Sequence, residues 1–294
     1  MKIRTIACAE RLKKTVFFVA ITTLTASGLV AQAAGQKTFA SSKDAVTAFI
    51  QAVRAGDTAA LQSILGSGSD AIVSSGDSVA DKAARDGFVA KYDAKHSLTS
   101  SEPHQMTLNV GDDDWPTPIP LVENGGKWYF DGAAGQQEIV YRRIGNNELS
   151  AIEVCKGVVS AQRDYAAASH DGRPTGTYAE RIVSQPGKQN GLYWETKPGE
   201  PSSPAGDMLA QASSEGYDTS GKETPYHGYY YRMLRNPGGF AFIAYPAQYR
   251  SSGVMTFVVT QDGVILEKDL GSQTGDIVRR IGQYQVDDTW KHAD

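Results

Sequence analysis

The sequence has 294 residues, 40% of them apolar, and a formal net charge of −4 at pH 7. A chain of this length can form one large domain or two small ones. Its acidic balance offers no basic surface of the kind that binds nucleic acid, so we expect no nucleic-acid partner.

Residues 1–33 have the pattern of a secretory signal peptide. Five basic residues precede the apolar run TVFFVAITTLTASGLV, and the small-residue motif AQA follows at Ala31 to Ala33. The apolar run is shorter than the roughly 20 residues that a membrane-spanning helix needs. We therefore expect cleavage and export, with a retained membrane anchor as the alternative. Cleavage would take the net charge from −4 to about −8, and no later stretch is apolar enough to cross a bilayer.

Residues 34–145 are expected to form an N-terminal α+β domain. Apolar spacing in SSKDAVTAFIQAVRAGDTAALQSILG predicts a helix capped at Ser42, a break at Gly56-Asp57 and a second short helix. A third helix is predicted within residues 77–98. HQMTLNV and TPIPLVENGGKWYFDG have strand patterns, and Asn124-Gly125-Gly126 predicts a hairpin turn.

This order of elements resembles the small cone-shaped domains of the nuclear transport factor 2 type. The resemblance implies a curled sheet around a pocket, which can be catalytic, ligand-binding or filled by side chains. The residues that we expect near such a pocket are Tyr92, His96, Trp115 and Trp128.

Residues 146–294 are expected to form a C-terminal domain. The chain is helical in character from Ala133 to Ser169, and we place the domain boundary at a predicted interruption of the helix at 145–147, with Asn147 as the cap of its second part. A loop-rich region follows. Four strand patterns, YHGYYYRML, GGFAFIAYPA, GVMTFVVT and GVILEKDL, then predict an antiparallel meander with a two-residue hairpin turn at Asp262-Gly263. A long helix across one face of such a sheet makes an α+β unit.

The segment ETPYHGYYYRML is the most aromatic of these strand patterns. Alternate residues of a strand point to opposite faces. His227, Tyr229, Tyr231 and Met233 are therefore expected on one face, and Tyr226, Tyr230 and Arg232 on the other. A purely structural strand explains this composition, because tyrosine is common in sheets. The second row, with Tyr193 and Trp194 from the loop-rich region, could instead meet solvent, the chain's own loop or another protein.

Several segments of this second half carry a family resemblance. GLYW, PYHGYYYRML, GGFAFIAYPAQY and SGVMTFVVTQDGVILEKDLG, with AIEVCKGVVSAQRDYA upstream, resemble the uncharacterised bacterial DUF2950 family. The resemblance extends over nearly the whole chain after the leader. It implies an exported protein, periplasmic or extracellular, of a Gram-negative bacterium, and it implies no activity.

A second resemblance concerns residues 147–271, whose helix and strands are similar to the globular heads of type IV pilins and pseudopilins. In pilins the head follows an apolar N-terminal helix of the same segment, whereas here a long stretch of chain intervenes. The resemblance therefore implies a head-like fold without implying filament assembly.

No sequence pattern predicts a catalytic, metal or cofactor site. The five histidines do not pair at zinc-binding spacing. ASHDGRPTGTYAE places Gly172 as a calcium loop requires, but Ala167 and Tyr178 occupy the first and twelfth ligand positions. Cys155, the single cysteine after the leader, lies within a helical pattern and is expected to be buried and inert, with a reactive thiol or an intermolecular link as alternatives.

We therefore expect an exported envelope protein that acts as a non-enzymatic interaction module. In this interpretation, Tyr226, Tyr230 and Arg232 contact another envelope protein. The alternative is a small-ligand-binding protein or a hydrolase that uses a pocket in the N-terminal domain.

Overall fold

The computed structural model describes residues 35–293, so the predicted signal peptide at 1–33 lies outside the described residues. The helices are α1 (Ser42–Ala55), α2 (Thr58–Leu65), α3 (Asp70–Val73), α4 (Ser78–Ala94), α5 (Gly132–Ala166), α6 (Gly206–Ser214) and α7 (Thr274–Arg280). The strands are β1 (His96–Glu102), β2 (Gln105–Val110), β3 (Trp115–Pro116), β4 (Leu121–Asn124), β5 (Lys127–Phe130), β6 (Arg181–Val183), β7 (Gly191–Tyr193), β8 (Tyr229–Leu234), β9 (Ala241–Pro246), β10 (Met255–Thr260), β11 (Ile265–Asp269) and β12 (Lys291–His292). The α+β class is confirmed. Within the described range, no helix has both the length and the apolar character needed to cross a membrane.

The first helices begin and end where capping chemistry places them. The Ser41 hydroxyl accepts a hydrogen bond from the backbone N–H of Asp44, so α1 is capped one residue earlier than predicted. Gly56 ends α1 in the left-handed conformation, with φ of 62°. Asp57 then caps α2 by accepting from the N–H of Ala60. The predicted break between the two helices is confirmed.

The N-terminal sheet has the order β1-β2-β4-β5, with β3 paired to β2. Gly125 and Gly126 join β4 to β5 with φ of 59° and 77°, the backbone that a two-residue hairpin requires, and this predicted turn is confirmed. Strand β1 was not predicted, because HSLTSSE has no apolar alternation. It is held by its antiparallel register with β2, from His96 opposite Val110 to Glu102 opposite Gln105.

Helix α5 is continuous through 145–147, so the predicted interruption there is wrong. Asn147 does not cap a helix but donates from Nδ2 to the carbonyl of Ser252 across 2.9 Å. The carboxylate of Glu148 accepts from the N–H groups of Val254 and Met255 at 2.9 and 3.0 Å. These tertiary bonds hold the segment helical, although Gly145 makes the helix about 1 kcal/mol less stable than alanine would at that position.

Two hydrophobic cores lie along α5. One contains buried residues from Phe39 to Phe130, with Ile139 of α5 packed against it. The other begins at Ala151 and contains Cys155. The division of the chain into domains at 34–145 and 146–294 stays a prediction, because one unbroken helix serves both cores.

The C-terminal sheet is an antiparallel meander with the order β12-β11-β10-β9-β8. Helix α5 packs on one face and α7 on the other. The hairpin between β10 and β11 is confirmed, but its connection is longer than two residues: the last pair is Val259 with Ile265. The Asp262 carboxylate accepts from Thr260 and from the N–H of Val264, which stabilises this wider loop.

Cys155 is fully buried on the sheet side of α5, as expected. Burial raises the pKa of its thiol to about 12, because a thiolate would lose its hydration there.

Candidate functional site

A cavity of about 830 Å³ opens between α5, α6, β6 and the edge of β8. Val154 and Val158 of α5, Met208 and Leu209 of α6, and Phe242 of β9 line its apolar part. The segment between α6 and β8 closes one side with polar and aromatic groups. A cavity of this size and composition is typical of small-ligand sites, which occupy about 300–1,000 Å³ and combine apolar walls with a few polar groups.

Glycine at position 157 leaves room for the side chain of Met208 against α5. A Cβ added at Gly157 would lie 2.9 Å from the sulfur of Met208, closer than such atoms pack. Met208 and Ala212 stand four residues apart, so both side chains face the cavity from one side of α6. The contact of Met208 with α5 at Gly157 thus shapes the apolar wall.

A cluster of polar aromatic groups forms the opposite wall. His227 Nε2 lies 3.0 Å from a carboxylate oxygen of Glu215. The Tyr226 ring stands edge-on to His227 at 4.1 Å between centroids and to Tyr217 at 4.8 Å. His227 has φ of 49° and Gly228 has φ of 75°, so the chain turns sharply just before β8 begins.

Asp77 anchors this cluster from the N-terminal half of the chain. Its side chain is buried, and Oδ1 accepts from the N–H groups of Val79 and Ala80 at the start of α4. Oδ2 accepts from the hydroxyl of Tyr217 at 3.1 Å and from the N–H of Gly228 at 2.8 Å. One buried carboxylate therefore fixes both ends of the segment that borders the cavity.

The tyrosine hydroxyls of the cluster are held in their protonated form. Burial, followed by the charge of Glu215 and a hydrogen bond to it, raises the pKa of Tyr226 to about 12. Burial and the charge of Asp77 raise the pKa of Tyr217 well above its usual value. Burial also raises the pKa of Tyr231, whose hydroxyl donates to the carbonyl of Tyr226. At neutral pH these groups act as hydrogen-bond donors.

Of the predicted surface residues, Tyr226 lies in this wall and not beside Tyr230 and Arg232. The alternation that placed the three on one face starts only at Tyr229, because the turn at His227 and Gly228 breaks the strand before it. Tyr226 is instead bridged to Tyr229 and approaches Tyr231 at 6.4 Å between ring centroids. Its predicted face was wrong for this local reason.

Tyr230 and Arg232 share the other face of the sheet, as predicted, and the chain's own α7 covers them. The Tyr230 ring packs on Tyr245 at 5.5 Å. The Arg232 guanidinium donates to the carbonyls of Val278 and Ile281 at the end of α7. The element that contacts this row is thus helix α7 and not the loop-rich region, and both residues remain partly exposed.

Tyr193 and Trp194 lie on the α5 side of the sheet, opposite to Tyr230 and Arg232. Trp194 packs edge-on to Tyr165 at 6.4 Å and against His170 at 5.4 Å between centroids. The five predicted surface residues are therefore not brought together in one patch.

None of the four predicted pocket residues lines the cavity described above, which is bordered by residues between Leu149 and Arg279. Tyr92, Trp115 and Trp128 pack against the N-terminal core, and His96 is exposed. Tyr92 stacks on His96 at 3.8 Å. Trp115 lies beneath the charged ends of Lys91 and Arg142, and Trp128 exchanges backbone hydrogen bonds with Phe39.

Asp77, Glu215, Tyr217 and the apolar residues of α6 were not predicted as site residues from the sequence. Most of them lie in or beside the region interpreted as irregular loop. The spacing of Met208, Leu209 and Ala212 in GDMLAQASS was an available helical signal. The role of Asp77 had no local signal, because its partners lie 140 and 151 residues away.

Metal ligation has no support among residues 35–293, where no group of three or more histidine, cysteine or acidic side chains is placed to hold an ion. In the segment weighed as a calcium loop, the Asp171 carboxylate accepts from the N–H of Gln189 at 2.6 Å. His170 contacts Gln189 and the carbonyl of Tyr165 through its two ring nitrogens.

Comparison with known proteins gives one match. A family model described as a protein of unknown function, DUF2950, matches residues 36–239 and 235–293. Neither the curated proteins nor the solved structures contain a match.

Proposed function

The chain belongs to the DUF2950 family, and we propose that it is an exported binding protein that holds a small ligand in the cavity between α5 and α6. The pattern of residues 1–33 supports export. The cavity supports the proposal of ligand binding, because it offers about 830 Å³ of space between an apolar wall and a group of polar aromatic side chains.

The chemistry of the walls favours binding over catalysis. The apolar residues of α5 and α6 supply affinity by removing apolar ligand surface from water, about 25 cal/mol for each Å² buried. Tyr226 and His227 supply hydrogen bonds that orient the ligand. Burial and the carboxylate of Glu215 keep the pKa of Tyr226 near 12, which disfavours the phenolate that nucleophilic chemistry would need.

A thermal-shift screen tests the proposal with the chain from residue 34 onward. Defined panels of aromatic acids, fatty acids, sugars and short blocked peptides serve as probes. A ligand that binds the folded protein stabilises it by about 2.7 kcal/mol at a hundredfold excess over its Kd, so a true ligand raises Tm with the logarithm of its concentration. No shift from any panel would count against ligand binding.

Two alanines of α6 provide a matched pair of variants for any compound that raises Tm. Ala212 is buried and lines the cavity, whereas Ala210 is exposed on the same helix. Ala212→Phe fills the cavity and is expected to abolish the ligand-dependent shift, while Ala210→Phe retains it. Equal shifts in the two variants, with circular dichroism showing both folded, would place binding outside the cavity.

A further inference from the structure

We propose that the ligand of this cavity is a peptide in extended conformation, which adds as a strand to the free edge of β8. The inference rests on the proposed function, because it specifies the occupant of the same cavity. It comes from the topology of the C-terminal sheet and from how the cavity is placed around the sheet's edge.

Strand β8 is the last strand of its sheet and forms a ladder with β9 alone. The backbone N–H and C=O of Tyr229 point away from β9, because they exchange hydrogen bonds with Tyr226 at 3.1 and 2.8 Å. Backbone groups of an antiparallel strand alternate in direction, so those of Tyr231 and Met233 also point away from β9. Two N–H donors and two C=O acceptors thus face the cavity side.

The chain itself occupies both ends of this edge. Tyr226 pairs at the start of β8, and at its far end Arg235 bonds to the backbone of Gly282 and Tyr284. Between these points, β6 lies nearby but forms its ladder with β7 and none with β8. Among residues 35–293, the stretch at Tyr231 and Met233 therefore has no ladder partner on this side and offers a template for a short strand.

The cavity extends around this edge onto both faces of the sheet. Tyr231 and Phe242 border it on the face covered by α5, and Arg232 and Arg279 border it on the face covered by α7. A compact ligand can bind on one face of a sheet and does not require a cavity that reaches both faces. A bound strand requires a cavity that reaches both faces, because its side chains alternate between them.

The two sides of the cavity indicate which side chains the peptide carries. Met208 and Leu209 offer apolar contacts on the α5 side. On the other side, the Nε of Arg232 is buried and has no acceptor within the described residues. The guanidinium of Arg279, bonded to Asp276, and the carboxylate of Glu223, which accepts from the hydroxyl of Tyr245, border the same side. A carboxylate from the ligand would supply that acceptor. The structure thus favours alternating apolar and acidic residues.

Fluorescence anisotropy with a blocked, labelled hexapeptide of alternating valine and glutamate tests the inference. Two N-methylated forms are decisive, one methylated on every valine and one on every glutamate. In an added strand only one of these sets of N–H groups faces β8. We expect one form to lose about tenfold or more in affinity and the other to keep it within about threefold. Equal binding or equal loss for the two forms overturns strand addition.

A block-sequence peptide of three valines and three glutamates has the same composition without the alternation and is expected to bind at least about tenfold more weakly. Ala212→Phe and Ala210→Phe again serve as cavity-filled and control proteins. If compounds of the thermal-shift panels bind in an Ala212-dependent way and no alternating peptide does, ligand binding stands and the peptide inference fails. If neither compounds nor peptides bind, both fail.

Discussion

The hydroxyl of Tyr217 donates to Oδ2 of Asp77 across 3.1 Å, although 140 residues separate the two in the chain. The same oxygen accepts from the backbone of Gly228, where the strand that edges the cavity is about to begin. Asp77 thus ties the start of α4 to the segment that borders the cavity. The position of that segment depends on one buried side chain of the N-terminal half.

Replacement of Asp77 by alanine is expected to destabilise the protein by at least about 3 kcal/mol. The change removes a helix cap, worth about 1 kcal/mol, and leaves the Tyr217 hydroxyl and the Gly228 N–H without an acceptor, at about 1–3 kcal/mol for each buried group. Urea unfolding measures the loss. Asp57→Ala is the control, because Asp57 caps α2 at an exposed site and is expected to cost only about 1 kcal/mol. Equal losses would show that the long-range bonds contribute nothing.

Alanine substitutions at two glycines distinguish two causes of lost stability, an unfavourable backbone conformation and a steric clash. Gly172 and Gly228 have φ of 79° and 75°, but a Cβ would meet open space at Gly172 and the amide of Asn147 at Gly228. Gly172→Ala is expected to cost about 1 kcal/mol from the left-handed backbone alone.

Gly228→Ala is expected to cost at least about 3 kcal/mol, because the added methyl also displaces Asn147 from its bond to Ser252. Thermal and urea unfolding of the two variants provide the comparison. A Gly228→Ala protein as stable as Gly172→Ala would mean that the turn before β8 relaxes freely, and that the cavity wall is less fixed than the structure indicates.

Features governed by neighbouring residues were predictable from the sequence. Gly125-Gly126 specifies a two-residue hairpin because both positions need φ above zero. The alternation from Tyr229 to Met233 fixes which residues face α5 and which face α7.

Features governed by distant residues were not predictable. Gly145 and Asn147 suggested a break in α5, but their segment is held helical by bonds to 252–255. The cavity is built from segments as far apart as α5, α6 and β9, and its wall is anchored by Asp77. A single sequence contains no local pattern for such an assembly.

Arg232 gives a test of whether the outer face of the sheet is structural. Its guanidinium donates to two carbonyls at the end of α7, so Arg232→Ala is expected to destabilise the protein by about 2 kcal/mol and to expose α7 to protease. Arg280→Ala, at an exposed position of the same helix, is the control and is expected to stay within about 0.5 kcal/mol of the unaltered protein. If Arg232→Ala has the same protease cleavage pattern as the unaltered protein, Arg232 is not needed to hold α7. The face of Tyr230 and Arg232 would then be available to a partner protein.

The thiol of Cys155 is expected to be unreactive in the folded protein. Burial raises its pKa to about 12, so at pH 8 almost none of it is thiolate. The chain from residue 34 onward contains this cysteine alone. A disulfide reagent should label no thiol within minutes in the folded protein and one thiol after unfolding in urea. Rapid labelling of the folded protein would indicate that α5 and the sheet separate readily.

Cys155→Ser should lower the free energy of unfolding more than Cys155→Ala, because the serine hydroxyl would be buried in an apolar core.

Alkaline pH is expected to weaken the fold through Tyr226. Burial and Glu215 raise the pKa of this tyrosine to about 12 in the folded protein, from an ordinary value of 10.0. Between pH 10 and pH 12 the unfolded chain has therefore released a proton that the folded chain retains. The free energy of unfolding then falls as pH rises through that window, and the contribution of Tyr226 is fully present below pH 10.

Urea unfolding at pH 9, 10, 11 and 12 measures this dependence. Tyr226→Phe has no proton to release and is expected to show a shallower decline above pH 10. Tyr141→Phe is the control, because Tyr141 is 60% exposed on α5, and it is expected to follow the unaltered protein. Parallel declines in all three proteins would mean that the Tyr226 hydroxyl is not held by burial and Glu215 as the structure shows. The cavity would then lack the fixed hydroxyl group that the binding proposal assigns to it.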